Sequence, residues 1–538
     1  MTHSAAPDYA AFIESFDIAS LEDELQGSLT GGINACVECC DRWVGDNRVA
    51  LHWQGADGSS RDVTFEALQA KSAQFANYLV KQGVKPGERV AGLLPRVPEL
   101  LVVILGTLRA GAVYQPLFTA FGSKAITDRL AGSQARLIVT DAANRPKLED
   151  VTNCPPVVAL DASADGDTDF HTALNAESTN FDPVMRTGED LCLMLFTSGT
   201  TGPPKGVGVP LKALLAFAAY MKFGLDLREG DRFWNIADAG WAYGLYYAVI
   251  GPLLLGRATT LYDGPFTVDT TYDLIQSQNI TNFAGAPTAY RMMIAAGADA
   301  AGAVKGRLRV AGSAGEPLNP EVMRWFDDQL DCPLYDHYGQ TEMGMVLMNH
   351  HGLSHEVTPG SAGFAMPGYR LAILDDTGNE LPAGEPGMLA IDRRASPLFF
   401  FPGYWGREGQ DWAGDYYLTG DAAMMNDNGS FSFVGRTDDL ISSAGYRIGP
   451  FDVESCLIEH EAVLESAVVG KPDTERGHIV KAFVVLREGF EPSDALTEAL
   501  QQKVRSRLGA HAYPREIAYP DALPKTPSGK IQRFLLRE

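Results

Sequence analysis

The segment Met194–Val207, MLFTSGTTGPPKGV, holds the densest grouping of residues with anion chemistry. An apolar run leads into Thr197, Ser198, Gly199, Thr200, Thr201 and Gly202, and Lys205 follows two prolines. Glycines let backbone N–H groups approach an anion, hydroxyls add donors, and the ammonium adds charge. This is the chemistry of a polyphosphate cradle. It is not the GxxxxGK[ST] loop: that spacing is missing, and Val207 follows Gly206 in place of a Mg²⁺-binding hydroxyl. A lone glycine-rich loop reads equally well as flexible surface. Six hydroxyl-or-glycine residues in a row, closed by PPKG, favour the cradle. Cys36, Cys39 and Cys40 are a second grouping. No further CxxC or His-x-His completes four zinc ligands, so packing of a helix explains them better.

The elements needed to hold such a loop are readable on either side. RVAGLLP from Arg89 is a short apolar strand, and PELLVVILGTLRAG from Pro98 is a helix with proline in its first turn and Gly111 past its end. AVYQPLF, a helix around Ala125–Leu130 and ARLIVTD continue the alternation. Strands alternating with helices predict an α/β fold with a parallel, doubly wound sheet. From Gly363 to Asp421, short strands (YRLAILD, GMLAID) between turn residues predict a β-rich lobe. The last hundred residues read as a small α+β domain. The expected organisation is 1–437 as a large N-terminal domain and 438–538 as a mobile lid. With no low-complexity linker between them, the boundary must be a tight hinge.

The chain has 538 residues, 44 Lys+Arg and 68 Asp+Glu, a net charge of −24. Sequence-independent nucleic-acid binding and anionic membrane surfaces are poor fits, because both need basic protein surface. At 45% hydrophobic and 21% charged, the chain is not disordered. The first 25 residues lack a basic n-region followed by an apolar core, and the longest apolar stretches are too short for a membrane span. With seven cysteines, an odd number, a reduced cytoplasm is expected. The charge is uneven: residues 501–538 carry eight basic and three acidic side chains, a local excess of five positive charges.

The segment at Met194 closely resembles the signature loop of the adenylate-forming superfamily of acyl-CoA synthetases, adenylation domains and luciferases. Further motifs match in order. GSAGEPLNPE (Gly312–Glu321) resembles that family's adenine-binding stretch, and YDHYGQTEMG (Tyr335–Gly344) its nucleotide- and Mg²⁺-binding turn. YLTGD (Tyr417–Asp421) resembles its ribose-binding carboxylate and GRTDDLI (Gly435–Ile441) its hinge. AGYRIGPFDVE (Ala444–Glu454) resembles its thioester-forming loop, and PKTPSGKIQR (Pro524–Arg533) its catalytic-lysine tail.

The resemblance implies two steps. A carboxylate attacks the α-phosphate of ATP, giving acyl-adenylate and pyrophosphate. A thiol, expected to be coenzyme A, then displaces AMP. Lys530 is implied as the catalytic cation of the first step, and the loop with Gly445 and Arg447 serves the second. Gly445 lets the pantetheine arm pass. The nucleotide set adds Gly315, Glu316, Pro317, Asp336, Tyr338, Gln340, Thr341, Asp421 and Arg436 to the loop residues. Tyr338 stacks on adenine or packs the core, and Asp421 holds ribose or closes an Asx turn. Glu342 is suited to Mg²⁺, which takes one or two carboxylates besides phosphate and water. His337 reads as a structural histidine.

Within the superfamily the chain looks most like the acetyl- and medium-chain acyl-CoA synthetase branch. Trp241, Ala242, Tyr243, Ala314 and Gly339 map to the acyl pocket. Gly339 stands where acetyl-CoA enzymes have a tryptophan, so a larger volume and short-to-medium or branched acids are expected. An aryl acid remains open. So does a carrier-protein thiol in place of coenzyme A, although no carrier segment follows Lys530. Arg145, with Lys147, maps loosely to a coenzyme A phosphate contact or is a solvated loop residue. Further expected partners are a second copy of the chain, and an acetyltransferase and deacetylase acting on Lys530. Asp438 maps to the hinge, where backbone torsions must change. Asp438→Pro is expected to impair thioester formation more than adenylation when each half-reaction is assayed; equal loss of both contradicts the hinge.

Overall fold

The computed structural model describes residues 6–161, 164–197, 204–407, 412–437, 439–443, 446–473, 476–525 and 531–537. The expected alternation forms. Arg89–Leu93 is a strand, and Pro98–Arg109 is a helix with proline in its first turn. Gly111 follows at φ +67°, a conformation that glycine adopts without strain. The helix is apolar on nearly every side and buried, as such a helix must be. Strands Val113–Pro116 and Leu137–Thr140 pair in parallel with Arg89–Leu93 on either side, with helix Ser123–Ser133 between them in sequence.

Among the described residues these strands belong to a seven-stranded sheet that ends with Leu191–Thr197 and Lys205–Pro210. The last two run antiparallel, with Thr197 opposite Lys205. The described residues on either side of 198–203 are therefore paired strands, and Lys205–Pro210 is a strand and not a helix. A nine-stranded sheet contains Phe233–Asn235, Asn282–Gly285, Val310–Ala314 and Leu334–Gln340, mutually parallel. Gly344–Met348 returns antiparallel to Leu334–Gln340, so the YGQTEMG segment is a hairpin turn. Parallel strands covered by helices, with antiparallel strands at the edges, make the architecture α/β.

The expected β-rich lobe is an antiparallel sheet built on Leu371–Leu374, Pro386–Asp392, Tyr416–Met425 and Phe431–Arg436. A smaller C-terminal part follows. Its sheet combines Ile441–Ser443, Tyr446–Ile448, Val463–Asp473, Gly477–Leu486 and Glu516–Ala518. Helices Pro450–Ile458 and Asp494–Leu508 accompany it, the second capped by the Ser493 hydroxyl accepting from the Leu496 N–H. Among the described residues, no helix is long and apolar enough to cross a membrane.

The N-terminal segment is fastened by polar groups. Cys36 and Cys39 are buried on helix Ala35–Cys39, and Cys40 is buried just after it. Cys36 Sγ lies 3.8 Å from Ser72 Oγ, and the Cys40 thiol donates to the Phe65 carbonyl at 3.4 Å. Arg109, 2% exposed, donates from Nη1 to Asp41 Oδ2 at 2.9 Å and from Nε to Ser72 Oγ at 3.1 Å. Removing one partner of a buried pair strands the other. Arg109→Met is therefore expected to cost about 3 kcal/mol, read by denaturant unfolding, with less loss when Asp41→Asn is combined with it.

Candidate active site

Three chain segments meet at the Asp421 carboxylate, which is 5% exposed. Strand Leu334–Gln340 supplies two donors: Tyr338 Oη at 2.5 Å and Gln340 Nε2 at 2.8 Å, both to Oδ2. Strand Phe431–Arg436 supplies Arg436, whose Nη1 lies 3.6 Å from Oδ1. Gln340 also donates to the Thr419 carbonyl at 2.8 Å and accepts from the Tyr417 hydroxyl at 3.0 Å. Burial and the Asp421 charge push the Tyr338 hydroxyl well above its ordinary value, so it stays a donor. Asp421, Tyr338, Gln340 and Arg436 are thus brought together. The tyrosine hydroxyl is engaged with Asp421, an interaction the stacking expectation did not contain.

A second chain of contacts joins Lys205 to Glu342. Lys205 Nζ sits 4.5 Å from the centre of the Tyr404 ring, and Tyr404 Oη donates to Glu342 Oε1 at 3.0 Å. Tyr404 also forms an antiparallel bridge with Val207, and the Trp405 N–H donates to the Gly206 carbonyl at 2.8 Å. Glu342 is 6% exposed. The Thr341 carbonyl accepts from Tyr246 at 3.0 Å, which steadies the turn. Tyr404 carries no motif, and sequence reasoning missed it. Its aromatic neighbourhood, FFFPGYW, gives no spacing signal.

The GEP stretch is held from below. Gly315 has φ +101° with open space beside it, so backbone conformation rather than crowding favours glycine there. Glu316 pairs with Arg291 at 2.9 Å and accepts from the Thr288 hydroxyl at 3.0 Å. After Pro317, the Leu318 N–H donates to Asp336 Oδ2 at 3.2 Å. Asp336 keeps some solvent contact, yet dense protein around it pushes its carboxyl up to about 7. His337 is buried, with Nδ1 2.7 Å from Tyr220 Oη. Burial holds it well below its ordinary value, so it is a neutral structural residue.

The residues assigned to an acyl pocket face different surroundings. Trp241 packs on Phe118 and Phe121, at ring separations of 5.3 and 5.5 Å. Ala242 and Tyr243 open the next short helix, and Tyr243 Oη lies 3.3 Å from Tyr220 Oη. Ala314 is buried on its strand. Gly339 pairs opposite Met345 on the returning strand. A Cβ there would meet the Gly344 carbonyl oxygen at 2.1 Å. The glycine permits two strands to approach closely, and along that direction backbone fills the volume.

Arg145 does not project a loose cation. Nε and Nη2 bond Asp167 at 2.6 and 3.1 Å, so a phosphate would have to displace a two-point ion pair. Arg447 lies on strand Tyr446–Ile448, opposite Ser442. Ser198, Gly199, Thr200, Thr201, Gly202, Asp438, Gly445 and Lys530 lie outside the described residues. The basic tail is less of a field than its count implied. Lys503 and Arg507 pair with Glu459, Lys525 with Glu465, Arg533 with Glu454, and Arg537 with Asp439. Acidic partners outside 501–538 neutralise most of the local excess.

The family description "AMP-binding enzyme" matches residues 41–405, and "AMP-binding enzyme C-terminal domain" matches 452–530. This chain belongs to the AMP-binding enzyme family. It is 38% identical to the acetyl-coenzyme A synthetase of Bacillus subtilis (strain 168), over 98% of this chain and 94% of that one. The crystal structure of Brucella canis acyl-CoA synthetase aligns with a TM-score of 0.82 at 56% identity, covering 99% of this chain and 98% of that one. The anthranilate CoA ligase AuaEII, solved with anthranoyl-AMP, aligns with a TM-score of 0.87 at 27% identity, covering 97% and 98%. Tyr404 lies within the span matched by the first family description, and Asp421 just after it.

The raised carboxyl of Asp336 has a pH signature. Its protonated form is favoured in the fold. The stability it contributes is complete below the ordinary carboxylate range and is lost as pH rises through about 7. Asp336→Asn keeps an acceptor for Leu318 and removes the titration. The fall in Tm between pH 5 and pH 8 is expected to be smaller in this variant than in the parent, by calorimetry; equal falls contradict it.

Proposed function

We propose that the chain is an AMP-forming acid–CoA ligase. The observation that carries this is the family match together with the buried Glu342 and Asp421 carboxylates, each held by a tyrosine hydroxyl. In the first step an acid oxygen attacks the α-phosphorus of ATP and pyrophosphate leaves. In the second, the coenzyme A sulfur attacks the acyl carbon, loses its proton, and AMP leaves. Negative charge develops in both, so fixed cations and N–H donors supply the catalysis.

Residues take separate roles in this reading. Asp421, with one oxygen occupied by Tyr338 and Gln340, accepts the ribose hydroxyls on the other, with Arg436 beside it. Lys205 and the N–H groups of the cradle segment hold the β- and γ-phosphates, and Thr341 donates to the α-phosphate. Glu342 fits Mg²⁺: it is one buried carboxylate oriented by Tyr404, and phosphate oxygens and water complete such a set. Bound there, the ion would neutralise polyphosphate charge. Lys530 is the cation at the reacting phosphate, and an acetyl group on it would remove that charge.

Residues 438–538 turn about Asp438 between the steps, exchanging Lys530 for the loop of Gly445 and Arg447. The acid is short-to-medium-chain or branched, with Trp241, Ala242, Tyr243 and Ala314 beside it. The test is incubation with ATP, Mg²⁺, coenzyme A and a panel of straight, branched and aromatic acids. AMP, pyrophosphate and an aliphatic acyl-CoA are expected. Release of ADP, or no product across the panel, contradicts the ligase. A clear preference for aromatic acids contradicts only the aliphatic assignment, and acylation of a carrier protein but not coenzyme A contradicts the thiol.

A further inference from the structure

The loop that contains Lys530 leaves and re-enters the described chain as two adjacent stems. Lys525 and Ile531 form an antiparallel bridge, and the Gln532 N–H donates to the Pro524 carbonyl at 2.9 Å. Each stem is tied by charge to the body of the C-terminal part. On the incoming side, Lys525 Nζ donates to Glu465 Oε1 at 2.6 Å. On the outgoing side, Arg533 Nη2 reaches both oxygens of Glu454, at 2.9 and 2.8 Å, and Nε adds a contact at 3.2 Å. Glu454 is itself fixed, because its Oε1 accepts from the Val468 N–H at 2.7 Å.

The same guanidinium faces the hinge. Arg533 Nη1 lies 3.7 Å from Asp439 Oδ2, and Asp439 Oδ1 is bonded by Arg537. Asp439 follows Asp438 directly. Arg533 therefore joins the residue after the hinge, the helix Pro450–Ile458 and the stem of the lysine loop. Across the cleft, Asn319 Nδ2 donates to Ser455 Oγ at 3.3 Å, one residue from Glu454. Glu316 of the adenine stretch lies near enough to act on Arg533 electrostatically. The anchored stem is thus beside the nucleotide residues.

We infer that Arg533 is a positioning residue for adenylation: through Asp439 and Glu454 it ties the stem at Ile531–Gln532, just after Lys530 in sequence, to the helix Pro450–Ile458. The physical reason is entropic. A long cationic arm on an untethered loop would sample many placements, and misplacing a catalytic group by an ångström is costly. A bidentate, largely buried guanidinium–carboxylate pair removes that freedom, which a lysine could not do equally well. The inference rests on the roles proposed above for Lys530 and Gly445.

The test separates the half-reactions in the full-length protein. Acid-dependent ATP–pyrophosphate exchange reads adenylation. Conversion of supplied acyl-adenylate and coenzyme A reads thioester formation. The probe is hexanoate, or the panel acid turned over fastest. Arg533→Met is expected to slow exchange on the order of 10- to 100-fold while supplied adenylate is converted within about threefold of the parent. Arg533→Lys should recover part of the loss. Unchanged exchange, or equal loss in both half-reactions, overturns the inference. Should Arg533→Met fail to fold, Asp439→Asn is read by the same two rates and the same criteria. Lys530→Ala is the reference. If it spares exchange, the role of Lys530 falls and this inference with it. If it abolishes exchange while Arg533→Met does not, only the role of Arg533 falls.

Discussion

The carboxylate of Asp421 accepts two hydrogen bonds on one oxygen and faces a guanidinium with the other. Its donors come from the nine-stranded sheet, while Asp421 and Arg436 lie on paired strands of the antiparallel lobe. A buried carboxylate is tolerated only when its lone pairs are met. The need to satisfy this charge therefore fixes how the lobe sits on the sheet. Phe431–Arg436 then leads to the C-terminal part, with Phe433 and Phe451 packed at 6.4 Å. Placing the Asp421 carboxylate and placing the C-terminal part are consequences of one constraint.

Charge is managed locally elsewhere too. The chain is strongly acidic, yet its ligands in the proposed reaction are anions. The basic residues of the tail do not form a diffuse attractive field, because most are paired with specific carboxylates. They act as fasteners. In the proposed reaction, a lysine on a fastened chain would bring one directed charge to one phosphate. An unpaired basic tail would bring many charges to no particular place. Directed charge in a site closed to water is worth far more than charge spread over a wet surface.

Much of this was legible in the chain. The alternation of apolar strands with helices from Arg89 onward predicted the α/β core, because burial imposes its periodicity on the residues themselves. The motifs that matched the family were short segments whose chemistry is carried by consecutive residues. Other features were not legible. The cradle segment is flanked by paired strands, since Lys205–Pro210 pairs backward onto Leu191–Thr197 and does not form a helix. Tyr404 had no motif, and Arg145 was already taken by Asp167.

By itself, the sequence determined the fold class, the order of the motifs and the residue types available for anion chemistry. These depend on local periodicity and on which side chains stand next to each other. Only the tertiary structure decided which groups meet: Tyr338 with Asp421 across 83 residues, Tyr404 with Glu342 across 62, and Arg537 with Asp439 across 98. It also decided that the space beside Gly339 is filled by the Gly344 carbonyl. Such contacts depend on sheet register and on how one sheet packs against another. No local pattern encodes that distance, because a hydrogen bond or a steric contact acts only within a few ångströms of space.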